Sequence, residues 1–264
     1  MLKTRIVTAL ALLAGFLCIL FLLPEAGVAL AFGMVAGLLA WEWAGLMRVD
    51  AAGRLLFAGV VLVSCLAAYH QPEFAFPRLW WISAAFWFLL APLWLWRRWR
   101  IDANDMVGYL VGWTLIVPTW AALVGLQARN PWLLFAVMGL VWIADIAAYF
   151  AGRAWGRRKL APAISPGKTW EGVGGAVAGV LLYGAIATLM AGYEPPSMVG
   201  WTLLLIALTA VSIQGDLFES MIKRQAGVKD SSNLLPGHGG LLDRLDSQTS
   251  TLPMAALAIA WLSS

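Results

Sequence analysis

The chain has 264 residues, of which 61% are hydrophobic and 12% charged, against roughly 25% charged residues in ordinary soluble domains. This composition excludes a soluble core and leaves no room for a separate soluble domain, so residues 1–264 read as one membrane-embedded domain. The formal charge of +4 does not make nucleic acid an expected partner, because the placement of the basic residues follows the membrane spans.

Apolar stretches near the length of about 20 residues that crosses a bilayer recur along the whole chain. Nine are predicted: Ile6 to Leu23, Ala26 to Leu46, Arg54 to Tyr69, Leu79 to Trp96, Met106 to Leu126, Trp132 to Ala151, Trp170 to Ala191, Val199 to Gln214, and Thr251 to the C-terminus. The expected fold class is all-α and polytopic, because lipid cannot satisfy an open strand edge. With the N-terminus in the cytoplasm, all of the 18 lysines and arginines except Arg78 and Arg129 fall on the cytoplasmic side. That bias orients the chain N-terminus inside and C-terminus outside. Lys3 and Arg5 precede the first run and Ala-Leu-Ala lies at Ala29 to Ala31, but the run is longer than a signal core, so it reads as an uncleaved span.

Cys18 and Cys65 lie inside apolar runs without CxxC spacing, which suggests neither a disulfide nor a thiolate metal site. Gly33 with Gly37, Gly108 with Gly112, and Gly175 with Gly179 allow close helix approach, within one subunit or across a dimer seam.

Three carboxylates fall where bilayer should reject them: Glu42, Asp145 and Asp216. Glu42, between Trp41 and Trp43, reads as reaching the interface at the end of its span. Asp145 reads equally as an ion-pair partner of the basic segment beginning at Arg153 or as a site residue. Asp216 is followed by Ser220 and Lys223 at i+4 and i+7, which places a carboxylate, a hydroxyl and an ammonium on one helical face.

Two connecting segments carry the remaining polar chemistry. Residues 152–169 end in Ser165-Pro166-Gly167-Lys168-Thr169. Pro162 stands where a phosphate-binding GxxxxGK[ST] loop needs glycine and no strand is expected before it, so that motif is rejected. Ser165, Lys168 and Thr169 remain suitable phosphate donors ahead of a helix N-terminus, with Glu171 in its first turn.

The second segment, Ser220 to Ser247, contains Pro236-Gly237-His238-Gly239-Gly240, which cannot form regular helix. Its glycine amides can approach a ligand closely. A helical pattern restarts over Leu241 to Asp246, placing Asp243 and Asp246 three apart. Asp216, Asp243 and Asp246 are hard oxygen donors of the kind Mg²⁺ takes, and Lys223, Arg224, Lys229 and Arg244 carry the opposite charge. Metal-holding carboxylates and phosphate-neutralising cations in one loop are what phosphoryl-type transfer needs. Two histidines are too few to argue for zinc.

The run Ser220-x-x-Lys223-Arg224, Lys229-Asp230, Pro236-Gly237-His238-Gly239-Gly240-x-x-Asp243-Arg244-x-Asp246 resembles the signature of the phosphatidate cytidylyltransferases, or CDP-diacylglycerol synthases, of bacterial type. Ser165 to Gly172 and Asp145 to Gly152 resemble that family too. The resemblance implies an all-helical membrane enzyme, typically a homodimer, that converts CTP and phosphatidic acid to CDP-diacylglycerol and pyrophosphate with Mg²⁺ assisted by K⁺. It implies membrane lipids as partners and a site facing the cytoplasm across the bacterial inner membrane.

By the same resemblance Asp216 and Asp243 are the metal-holding pair, with Asp145 and Asp246 as further candidates. Lys223, Arg224 and Asp246 are the expected catalytic residues. Ser165, Lys168, Thr169, Ser220, Lys229, His238, Gly239, Gly240 and Arg244 are the expected substrate-binding residues. The lipid phosphate is already ionised at neutral pH, so the reaction needs no serine nucleophile. The alternatives are a polyprenol or lipid kinase using CTP or ATP, which shares the membrane, metal and nucleotide, and a transporter, whose internal repeats are not found.

Overall fold

Each predicted apolar run becomes a helix in the computed structural model, which describes residues 2–101 and 105–262. Residues 263–264, the end of the last predicted span, lie outside the described residues, and the side chains of Lys3 and Arg5 are likewise not described. The helices are α1 (Leu2–Leu22), α2 (Glu25–Leu46), α3 (Ala51–Tyr69) and α4 (Pro72–Arg97, with a π turn at Phe86–Leu90). They continue as α5 (Met106–Arg129), α6 (Pro131–Trp155), α7 (Trp170–Ala191), α8 (Met198–Gln225) and α9 (Leu242–Leu262). Five starts are fixed by residue types the sequence shows, since the side chains of Asp50, Asp105, Asn130, Thr169 and Ser197 each accept a first-turn backbone N–H that has no partner within the helix.

Helices α2 to α8 are long and apolar enough to cross a membrane, so the protein is an integral membrane protein. The apolar stretch of α1, Ile6–Leu22, is shorter, and α9 does not qualify among the described residues. The nine predicted apolar runs thus correspond to nine helices among the described residues, of which seven have the length and hydropathy of a span. The expectation of no strand is corrected. Lys159–Ala161 (β1) pairs antiparallel with Ser165–Thr169 (β2), in the register Lys159 to Thr169 and Ala161 to Ser165. The hairpin closes its own hydrogen bonds outside the spans, so the limit on open edges in lipid does not apply to it.

The core is organised around α9, which packs against α2, α4, α5, α6 and α8. Every residue from Ser247 to Ala256 is buried, although half of that stretch is Ser, Thr or Gln. The hydroxyls are satisfied locally and across helices: Ser250 Oγ donates to Val211 O at 2.9 Å, and Thr251 Oγ1 to Ser247 O at 2.8 Å. Pro253 has no N–H to offer Thr249 O four residues before it, and Thr119 Oγ1 of α5 donates to that carbonyl at 3.1 Å.

The six paired glycines face neighbours within the chain. A Cβ on Gly112 would overlap the Trp43 ring, and one on Gly175 would overlap Ala151. Gly33 and Gly37 lie against Leu62, Gly108 against Met47, and Gly179 against Ala147. These small residues serve packing inside one subunit.

Candidate functional site

Helix α8 continues beyond the predicted end at Gln214 to Gln225, so Asp216, Ser220 and Lys223 do share one helix. Ser220 Oγ donates to Asp216 Oδ1 at 3.2 Å. Lys223 takes a different course and is buried, its Nζ lying 2.6 Å from Asp243 Oδ1 and 3.0 Å from Glu219 Oε1. Glu219, itself buried, is a member of this site that sequence reading missed. The signal was its place four residues before Lys223, a helical ion-pair spacing.

Asp216 receives its cation from the other motif. Lys168 of β2 reaches across to form an ion pair with Asp216 Oδ2, bringing the Ser165 to Thr169 segment and the Ser220 to Ser247 segment to one place. The hairpin presents Lys168 just ahead of α7, while Thr169 accepts the Gly172 N–H at 3.1 Å as the buried helix cap. Glu171 closes the hairpin's base by accepting the backbone N–H groups of Arg157 at 3.1 Å and Arg158 at 3.2 Å.

Asp243 is engaged on both oxygens. Oδ1 receives Lys223, and Oδ2 receives Gly240 N at 2.7 Å, Ser231 N at 2.8 Å and Ser231 Oγ at 3.0 Å. Gly240 was expected to offer its amide to a ligand, and in this structure its N–H donates to Asp243. A side chain at 240 would overlap Ser231 Oγ, which is the local reason for glycine there. Gly237 and Gly239 adopt φ of 77° and 82°, backbone that glycine takes at little cost.

The turn these residues form is closed by Leu235 N donating to Gly239 O at 2.8 Å. Arg244 braces it, with Nε and Nη2 donating to His238 O at 3.1 and 2.8 Å, and Arg224 Nη1 donates to Val228 O at 3.1 Å. Lys229, Asp230, Asn233 and His238 line an open depression of about 390 Å³ beside this turn.

Glu42 overturns the sequence expectation most clearly. It does not reach the interface: it is 2% exposed and accepts four hydrogen bonds from the signature segment.

Asp216, Asp246 and Asp145 lie close enough for their charges to act on one another. Among the described residues no three His, Cys, Asp or Glu side chains form a ready cage for a metal. Mg²⁺ is usually held by one or two carboxylates together with waters and substrate phosphates, and carboxylates are the donors that Asp216, Asp246 and Asp145 bring near one another. Asp216 carries a cation, Lys168, on Oδ2, and Asp246 is its near neighbour. Asp243 likewise carries a cation, Lys223, on Oδ1, and its Oδ2 braces the loop through Gly240 and Ser231.

The chain matches the profile of the Cytidylyltransferase family over residues 3–262. It is 46% identical to a phosphatidate cytidylyltransferase of Pseudomonas aeruginosa, covering 99% of this chain and 97% of that protein. To a phosphatidate cytidylyltransferase of Haemophilus influenzae it is 37% identical over 96% of each chain. A protein of the same name from Brucella suis is 52% identical over 49% of this chain and 44% of its own length.

Proposed function

We propose a reaction from one premise: the chain belongs to the cytidylyltransferase family. It transfers the CMP moiety of CTP to phosphatidic acid, giving CDP-diacylglycerol and pyrophosphate for phospholipid synthesis. The observation that carries this reading is the Lys168 to Asp216 ion pair. It joins two polar motifs beside a cluster of carboxylates at the ends of apolar helices, where a lipid phosphate and a water-soluble nucleotide can meet.

An oxygen of the lipid phosphate attacks the α-phosphorus of CTP. The new P–O bond forms as the bond from that phosphorus to its β-bridging oxygen breaks, and pyrophosphate leaves with that oxygen. Lys168 can pass from Asp216 to the incoming phosphates, and Lys229 and His238 face the depression that takes the triphosphate. Ser165 and Ser220 supply hydroxyl donors beside the lysine and Asp216. Arg224 and Arg244 hold the turn and add positive charge as pyrophosphate departs. Lys223 sits between Glu219 and Asp243 and offsets part of their buried charge. Asp216 and Asp243, with Asp145 and Asp246 as further candidates, would hold Mg²⁺, which would supply positive charge against the phosphates.

K⁺ assistance, a homodimer, and a site facing the cytoplasm across the bacterial inner membrane belong to the same proposal, supported by the family resemblance and by the basic residues gathered at the loop end of the helices. Purified protein given CTP, phosphatidic acid and Mg²⁺ is expected to release pyrophosphate in step with CDP-diacylglycerol. Release of CDP with a phosphorylated lipid would select the kinase instead. A reporter fused after Ser264 is expected outside the cytoplasm, and a cytoplasmic signal would overturn the orientation.

A further inference from the structure

We infer that Glu42 of α2 is a positioning residue for the transfer site, fixing the start of α9 and the base of the signature loop so that CTP is held against the carboxylates. This rests on the reaction proposed above.

Glu42 is a buried carboxylate without a cation, since the ion pairs formed among the described residues go to Asp216, Glu219 and Asp243. Such a charge is costly unless hydrogen bonds replace water. Its replacement comes from one segment: Ser232 Oγ donates at 2.6 Å, Leu242 N at 2.7 Å and Leu241 N at 3.0 Å, and Ser231 Oγ, whose one proton is shared with Asp243, lies at 3.2 Å. Leu241 and Leu242 stand at the beginning of α9, where backbone N–H groups have no partner inside the helix and an anion is favoured. Glu42 therefore caps a helix 199 residues further along the chain.

Two features show that the loop is shaped around this carboxylate. A Cβ on Gly240 would lie 2.8 Å from both Glu42 oxygens as well as overlapping Ser231. Ser231 Oγ sits between Glu42 Oε2 and Asp243 Oδ2, at 3.2 and 3.0 Å, so a single hydroxyl joins the two carboxylates. Residues 231 and 240 are thus drawn together from both sides. The arms of the loop so closed carry Asn233 and His238 to the depression that Lys229 also lines. Releasing Glu42 loosens this nucleotide side, whereas the helices along which the lipid approaches keep their packing.

Glu42→Gln keeps the size but turns an amide NH₂ toward the Leu241 and Leu242 N–H groups. In hydrogen–deuterium exchange of the detergent-purified protein, amides within 231–242 are expected to exchange about tenfold faster or more, with α5 and α6 unchanged. In turnover assays KM for CTP is expected to rise about tenfold while KM for phosphatidic acid stays within about twofold. Unchanged exchange in 231–242, acceleration spread over the whole bundle, or parallel rises in both KM values would each overturn the inference. If the unaltered protein converts no CTP, the reaction proposal fails, while the exchange measurement still decides whether Glu42 holds the loop. Should Glu42→Gln not fold, Ser232→Ala and Gly240→Ala perturb the same base. Local acceleration in them supports the inference, and unchanged exchange in both overturns it.

Discussion

Helices α7 and α9 are nearly equal in length, at 22 and 21 residues, and opposite in everything else. On α7 the buried positions are Gly172, Ala176, Val180 and Gly184, while Leu182, Leu189 and Met190 are 64%, 81% and 84% exposed. On α9 ten consecutive residues are buried, beginning Ser-Gln-Thr-Ser-Thr. In water that pairing of polarity and burial would be reversed. In a bilayer the outer surface meets hydrocarbon, so apolar side chains face outward at no cost. Polar groups gather inside, where they can satisfy one another. Of these two helices the polar one is the buried one, and it carries Asp243 and Asp246 into the site beside the carboxylates of α8.

The largest expected effects lie where α9 meets α8. Asp216→Asn and Asp246→Asn should each lower turnover by orders of magnitude with little change in melting temperature, because each removes a charge from the proposed transfer site. Asp243→Asn should instead show lost stability along with lost turnover, since that carboxylate accepts from Lys223, Ser231 and Gly240. A metal titration should need more Mg²⁺ for Asp243→Asn than for Asp246→Asn, and the reverse order would make Asp246 the partner of Asp216 in holding the metal.

Next in size is Lys223→Met. It leaves Glu219 and Asp243 facing one another without their shared ammonium, and should cost about 3–5 kcal/mol, the range for breaking a buried pair on one side. Unfolding in mixed micelles would measure it. Gly215→Ala should follow at about 1–3 kcal/mol, because the added Cβ would overlap Ser250 Oγ and lie 2.9 Å from Asp246 O. An α7 substitution of equal effect would break the contrast between the two helices.

Much of this arrangement was legible in the residues and part was not. Helix positions were readable because backbone in lipid must close its own hydrogen bonds, so an apolar run dictates a helix. The starts at Asp50, Asn130 and Ser197 were written in cap residues. The restart of helix over Leu241 to Asp246 was readable from its pattern, but the burial of the hydroxyl-rich stretch from Ser247 to Thr251 was not, since only the surrounding helices make it core. Lys168 and Asp216 could be named from sequence as phosphate and metal candidates, but their pairing across more than a full helix depends on the hairpin at 159–169. Glu42 was misread because its partners, Ser231 to Leu242, lie far along the chain, and no local spacing announces a carboxylate that caps a distant helix.

The smallest effects sharpen the comparison most. Thr119→Val on α5 removes the hydroxyl that serves Thr249 O, a carbonyl whose usual donor is replaced by Pro253. The same hydroxyl lies 2.6 Å from Leu115 O of its own helix, so with valine close in shape the change removes one donor shared by two carbonyls of the polar core, and about 0.5–2 kcal/mol is expected. Leu189→Ala on α7 deletes far more apolar surface, yet that surface is 81% exposed and meets lipid tails in the membrane, so the change should stay within about 0.5 kcal/mol. Unfolding of both variants in the same bilayer mimic should rank the small polar deletion above the large apolar one. The reverse ranking would mean that the outer face of α7 is covered by protein, and a second copy of the chain held across Leu182, Leu189 and Met190 would then account for it.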